Sequence, residues 1–297
     1  MKKHAYLIMA HNEFHMLKKL LIELDDERND IFIHIDKKTA HPNEEDIASV
    51  VTKSRVTFIP RRRIYWGHVS IVKCELELLK KAINGNYHYY HLLSGNDFPI
   101  KTQEEIHEFL DKQDGEFISC HKNGDNGDLF LYKIRYYFPL LRYVGKGYRA
   151  ERGLRGRLLL TFGQWQDDLL RFQEKLGADR CKKDKDITPY KGDQWFSITN
   201  AFARFIVSKE KEILKRYRLT NGPDEFFIPT LAMNSEFAGK VRNNCLREID
   251  WNRGTPYKYT LDDLKLLETS DNFFARKISY DSDPELVEAL IGYLHRK

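Results

Sequence analysis

The order of apolar and polar positions along the chain describes alternating strands and helices. Residues 4–10 (HAYLIMA) form a short, almost wholly apolar run without turn residues, which predicts a buried strand. Glu13 to Asp26 follows with Phe14, Leu17, Leu21 and Leu24 at helical spacing. IFIHID (31–36) is a second buried strand, ending in Asp36. Strand, helix and strand in that order make a βαβ unit, so a parallel sheet with helices on its faces is expected. The alternation continues with a strand at VTFIP (56–60) and a helix from Val69 to Ile83. A strand at HYYHLLS (88–94) then gives way to GNDFPI, which reads as a turn. Thr102 and Glu105 form a capping box that opens a helix through Leu110, and GEFIS (115–119) is another short strand.

Residues 121–190 are less regular, with a helix expected from Gln164 to Leu176 and a charged loop at KKDKD (182–186). The α/β pattern returns at Gln194–Thr199, a strand. Asn200 is placed to cap a helix that turns Phe202, Phe205 and Ile206 inward. Asn221-Gly222 is a turn signal, and Pro223 suits the first position of a helix with Asp224 and Glu225 in its first turn. A carboxylate there faces the positive helix end, which favours the ionised form that a base needs at neutral pH. The plain alternative is a dipole partner with no chemistry. LREIDW (246–251) is a strand, a helix opens at Thr260, NFFARKIS (272–279) closes the core, and Asp283-Pro284 starts a final helix to about Leu294. No repeat or linker divides the chain. One domain over 1–297 is expected, with a nucleotide-binding half at about 1–120 and an acceptor-side half at about 121–297.

The composition, 41% hydrophobic and 31% charged, is that of a water-soluble globular chain. No apolar run approaches the roughly 18 residues of a membrane span, and the apolar part of MKKHAYLIMAH is too short for a signal peptide. Four cysteines without a CxxC pair read as free thiols in a reducing cytoplasm. The formal charge of +5 is uneven: residues 131–157 hold eight Lys/Arg against one acid, Glu151, with Tyr and Phe between them. Such a stretch suits a nucleic-acid surface, an anionic membrane or an acidic acceptor, or is a solvated loop.

Ligands of open α/β sheets bind beyond the carboxyl ends of the strands. His11-Asn12, Asp36 and Ser94-Gly95-Asn96-Asp97 fall at three such ends. There is no GxGxxG after the first strand and no GxxxxGK[ST] anywhere, so the dinucleotide and P-loop fingerprints fail. Asp36 could accept from a uracil N–H or a ribose hydroxyl, or be a strand-end turn residue. The DxD strings at 184–186 and 281–283 do not follow a buried strand of the first half, so a metal-binding pair is not expected there. Cations would then neutralise a leaving diphosphate, with Arg247, Arg253, Arg276 and Lys277 as candidates.

AYLIMAHNE (5–13), IFIHIDKK (31–38), YWGHVSIVKCELELLKKA (65–82), YYHLLSGNDFPIKT (89–102), GDQWFSIT (192–199), PDEFF (223–227) and FFARK (273–277) occur in this order and spacing. In these segments the chain resembles the core-2/I-branching β-1,6-N-acetylglucosaminyltransferases and their peptide O-xylosyltransferase relatives, from the first strand to about Ile278. The resemblance implies a GT-A-type, Rossmann-like α/β fold: a mixed, mostly parallel sheet with helices on both faces and an inserted loop and helix region. It implies a UDP-sugar donor, inversion at the anomeric carbon, and neither an obligatory metal nor a cofactor. Glu225 matches the general base and Lys277 the family's phosphate-binding lysine, with Arg247 as its companion and Arg253 in reserve. Asp36 matches the acid contacting uracil. His11, Asn12, Ser94 and Asp97 match donor-pocket walls, and Trp195 an aromatic that stacks on a sugar.

GlcNAc is the first expectation for the donor sugar, with xylose and galactose as alternatives. The expected acceptor is a glycan or a lipid-linked glycan, not nucleic acid. Lacking an anchor and paired luminal cysteines, the chain resembles a bacterial, cytoplasmic form, with 131–157 as an acceptor-facing or inner-membrane-facing element. Two other readings compete. One is a carbohydrate- or nucleic-acid-binding protein using 131–157, whose nucleic-acid affinity would fall steeply with salt. The other is a metal-dependent transferase using Asp97 or Asp184. Linkage position and oligomeric state are left open.

Overall fold

The computed structural model describes residues 2–122, 131–144, 153–183, 186–254 and 256–297. Its strands are β1 (His4–Ala10), β2 (Asn29–Ile35), β3 (Arg55–Phe58), β4 (Tyr89–Ser94), β5 (Asp97–Pro99), β6 (Glu116–Ile118), β7 (His121–Lys122), β8 (Tyr190–Lys191), β9 (Phe196–Thr199), β10 (Val241–Asn243), β11 (Arg247–Ile249) and β12 (Phe274–Arg276). Seven of them form one sheet in the order β10-β6-β9-β4-β1-β2-β3. β9 runs antiparallel to both its neighbours, and the other pairs in this sheet are parallel. A second sheet, β11-β12-β5, and a β7-β8 ribbon complete the pairing. This is the mixed, mostly parallel arrangement expected of a GT-A-type fold.

β1 shows how the pattern becomes two cores, one on each face of the sheet. Alternate side chains of a strand point to opposite faces. Tyr6, Ile8 and Ala10 therefore join a core with the Phe14–Glu23, Gln103–Leu110 and Pro284–His295 helices, whereas Ala5 and Leu7 join a core with the Ser70–Ala82, Asn200–Ser208 and Phe227–Met233 helices. Both faces are covered, which is why β1, β2 and β4 read as nearly continuous apolar runs.

Several local expectations need correction. Thr199, not Asn200, caps the Asn200–Ser208 helix, its side chain accepting from Phe202 N. Asn200 instead donates to the Tyr87 carbonyl. GNDFPI is not only a turn: Asp97–Pro99 pairs antiparallel with β12. The helix expected at 164–176 runs Gly153–Lys175. Pro223–Glu225 is a separate 3-10 turn, and the α-helix begins at Phe227. The four cysteines, by contrast, are free, as their spacing suggested.

Candidate active site

The carboxyl ends of β1, β2 and β4 meet. Asp36 N donates to the Ala10 carbonyl at 2.9 Å, and Gly95 N to the Met9 carbonyl at 3.0 Å. A Cβ on Gly95 would lie 3.2 Å from the Ala10 Cβ, so a glycine lets the two strand ends approach. The Asp36 side chain closes its own turn. Its Oδ1 accepts from Lys38 N at 2.8 Å and from Ile64 N at 3.4 Å, and Lys38 Nζ lies 3.6 Å from Oδ2. Its predicted place at the strand end holds, and the turn role is the one its contacts display. Asn12 donates to Glu13, whose carboxylate also accepts from Asn96, Ser279 and the backbone of Asp281. That network joins the first turn to the segment after β12.

His11 sits among charges from two other segments, 36–38 and 276–277. Its pKa is lowered by burial and then by the Lys277 ammonium, with Arg276 and Lys38 adding to the effect and Asp36 opposing it. A neutral imidazole beside a cluster of cations results.

Ser94 and Asp97 belong to the wall in a different way from that expected. Asp97 is fully buried, accepts from Ser94 N at 2.9 Å and from Ser94 Oγ at 2.8 Å, and pairs with Arg276 at 2.7 Å. Arg276 opposes Asp97 in the β12/β5 register, so the ion pair bridges two strands of the second sheet. The other side of the guanidinium lies 4.1 Å from the Trp195 ring. Trp195 is 5% exposed and packs in the core. The open aromatic face expected for a sugar is therefore covered by Arg276.

Arg247 also needs correction. It is buried, and its guanidinium donates to Ser197 Oγ and to the carbonyls of Leu92, Phe196 and Cys245, with Phe274 against its face. These bonds join the second sheet to β4 and β9, and the residue is a structural cation. Arg253, the reserve, is paired with Asp250 and Asp263 over Tyr257. The arginine that lies beside Lys277 is Arg276.

Glu225 is on the Pro223–Glu225 turn, which enters through Gly222 at φ 64°. Gly222 N donates to the Gly67 carbonyl at 2.8 Å, anchoring the turn to the segment before the Ser70–Ala82 helix. The Glu225 side chain is 30% exposed. Lys133 Nζ donates to its Oε2 at 3.0 Å, and Lys191 Nζ lies 3.4 Å from the same oxygen. Its backbone carbonyl accepts from Gly192 N at 2.8 Å. The expected helix terminus is replaced by these two lysines, one from the inserted region and one from β8.

Behind Glu225 lies a buried acidic pair. Burial and then the Glu225 charge push the Asp224 carboxyl up to about 7. Glu75, fully buried, is raised by burial and then by Asp224. Gln194 Nε2 donates to Glu75 Oε1 at 2.8 Å and lies 3.7 Å from Met9 Sδ. Asp224 and Glu75 are coupled by charge, and Gln194 links Glu75 to Met9 near the end of β1. Lys133, Lys191 and Glu75 were not singled out in the sequence. Lys133 was visible there only as one of eight basic residues, and 92 positions separate it from Glu225. Asp184 and residues 145–152 of the basic stretch lie outside the described residues.

Comparison with known proteins identifies the family of the chain. The profile of the Core-2/I-Branching enzyme family matches residues 4–136 and 161–272. Xylosyltransferase 2 of Mus musculus is 25% identical over 319 aligned positions, covering 98% of this chain and 33% of that protein. A xylosyltransferase of Ciona intestinalis is 24% identical over 312 positions, covering 96% of this chain and 33% of that protein. The chain thus spans about a third of the length of these relatives. Among solved structures, the WbbM bifunctional glycosyltransferase aligns with 99% of this chain and 50% of its own, at 11% identity and a TM-score of 0.47. With the family profile matching most of its length, the chain belongs to the Core-2/I-Branching enzyme family.

Proposed function

We propose that the protein is an inverting glycosyltransferase that moves a sugar from a UDP-sugar to a hydroxyl of a glycan acceptor, with Glu225 as the base and without a metal ion. The observation that carries this reading is the Glu225 carboxylate: part-exposed, held by Lys133 and Lys191, and backed by the buried Asp224 and Glu75, with Gln194 joining Glu75 to Met9 of β1. In the proposed step the acceptor O–H gives its proton to Glu225, and its oxygen forms a bond to C1 of the donor sugar. The C1–O bond to phosphate breaks from the opposite face, and UDP leaves with the electron pair. Arg276 and Lys277 offer positive charge on the donor side, a contribution that grows as the diphosphate departs. Asp36 and His11 would line the nucleotide end. Metal independence is supported by Asp97, whose oxygens are engaged by Arg276 and Ser94.

GlcNAc is the donor sugar we expect from the family. UDP-xylose is the second reading, favoured by the xylosyltransferase names of the relatives above. A thermal-shift series over UDP-sugars, with and without Mn²⁺, tests both points. Binding to the folded state at a hundredfold excess over Kd stabilises it by about 2.7 kcal/mol. A shift with one UDP-sugar that Mn²⁺ leaves unchanged supports the reading, and a shift that requires Mn²⁺ contradicts it.

A further inference from the structure

The helix Gly153–Lys175 faces two environments. Its inner side is bound by two glutamines. Gln173 accepts from Tyr137 N at 2.7 Å and donates to the Tyr137 carbonyl at 3.0 Å, while Gln166 accepts from Leu140 N at 3.0 Å. The helix is thus fixed to the segment that follows Leu131–Arg135, whose Lys133 holds Glu225. Its outer side carries Leu154, Leu158, Trp165 and Phe172, continued by Leu176 just beyond the last turn, and these are 76, 56, 57, 57 and 66% exposed. They follow one another in steps of four and seven residues, so at 3.6 residues per turn they lie within about 40° of one another. Large apolar side chains exposed in so narrow a stripe mark an interaction surface.

The flanking residues decide what the surface fits. On one side of the stripe the next row is polar, Thr161, Asp168 and Lys175, and on the other Phe162 and Leu169 are half-buried, Phe162 being stacked on Tyr143, so a paired helix would not find a second fully exposed apolar row. Arg157, Arg171 and Lys175 lie along one edge together with Asp168, which is paired with Arg171, and residues 131–152 before the helix hold six basic residues against one acid. An apolar face of Leu, Trp and Phe with a basic edge is the composition of a helix that lies in a membrane interface. Among the described residues, no helix is long and apolar enough to cross a membrane.

We propose that the outer face of Gly153–Lys175 docks on an anionic lipid bilayer, which would hold the molecule at a surface that carries lipid-linked acceptors. The bilayer contact stands on the helix alone; its consequence for the acceptor rests on the transferase reading. The test is co-sedimentation of the whole chain with phosphatidylglycerol-containing and pure phosphatidylcholine vesicles, without any sugar nucleotide. The wild type should bind the anionic vesicles and lose affinity as salt is raised. The triple variant Leu158→Ser, Trp165→Ser, Phe172→Ser should lose at least about tenfold in partitioning, with its circular dichroism and melting unchanged. Arg171→Gln with Lys175→Gln should lose about fivefold per charge, the effect of one basic residue near an anionic surface. Absence of vesicle binding would overturn the proposal, as would equal binding by the triple variant. A dimer seen in light scattering that the triple variant dissolves would assign the face to a second copy instead. UDP affinity, measured in parallel, keeps a failure here separate from a failure of the transferase reading.

Discussion

Arg247 and Asp224 are two charged residues the fold has buried, and they were buried for different reasons. Arg247 supplies donors to the Leu92 and Phe196 carbonyls where two sheets meet. Lysine keeps the charge but not the planar fork, so Arg247→Lys should lower unfolding free energy in urea by about 3 kcal/mol. The donor KM should stay within about twofold; a tenfold rise would return Arg247 to the donor site. Asp224 is raised from an ordinary 3.8 to about 7, so between those pH values the folded state holds more protons than the unfolded one. Stability from this group is present at low pH and is lost as pH rises towards 7. Glu75 and Glu116 are raised by burial and act in the same direction. Asp224→Asn should therefore melt higher than the wild type at pH 8 and show a smaller gain at pH 5. An equal difference at both pH values would mean that Asp224 is ionised in the fold throughout. At this scale Glu225 was legible because a proline, two acids and a preceding turn signal lie together in the chain. Its lysine partners were not, because their contacts depend on where distant segments pack.

Among the elements, the tightest is the crossing of residue 192 with the end of β6. A Cβ on Gly192 would fall 1.8 Å from the Ser119 carbonyl oxygen, so Gly192→Ala must move backbone. Overpacking of this kind costs about 1–3 kcal/mol. It also displaces Lys191 and the Gly192–Glu225 hydrogen bond, so turnover should fall along with melting temperature. A variant that melts lower but turns over normally would show that β8 does not position Glu225. The long elements were readable because burial on one or both faces leaves a period in the sequence. The short ones were not. Val241–Asn243 carries Arg and Asn in a three-residue edge strand, and Asp97–Pro99 forms only against β12, 175 or more positions away. The cap of the Asn200–Ser208 helix was readable to within a residue, since Thr199 and Asn200 are both capping types and tertiary contacts chose between them, whereas the helix expected from Gln164 starts at Gly153.

For the whole molecule, the α/β plan of a sheet covered on both faces and the family were both legible, because they rest on buried strands and on turns at their ends. The basic stretch of the inserted region was legible only as basic and aromatic, because its described part is held by contacts with Glu225 and with Tyr65, against which Arg142 lies at 5.4 Å. If fixed cations rather than a divalent ion draw the diphosphate away, transfer should continue in excess EDTA at an unchanged rate. A rate that EDTA abolishes and Mn²⁺ restores would move the chemistry to a metal. The most direct measurement compares wild type and Glu225→Gln, recording the UDP dissociation constant and the turnover of UDP-sugar on the same preparations. An essential base contributes about 10²–10⁴-fold, so turnover should fall by that factor while UDP binds equally well. Turnover within about threefold of the wild type, with UDP still bound, would contradict the assignment of Glu225 as the base.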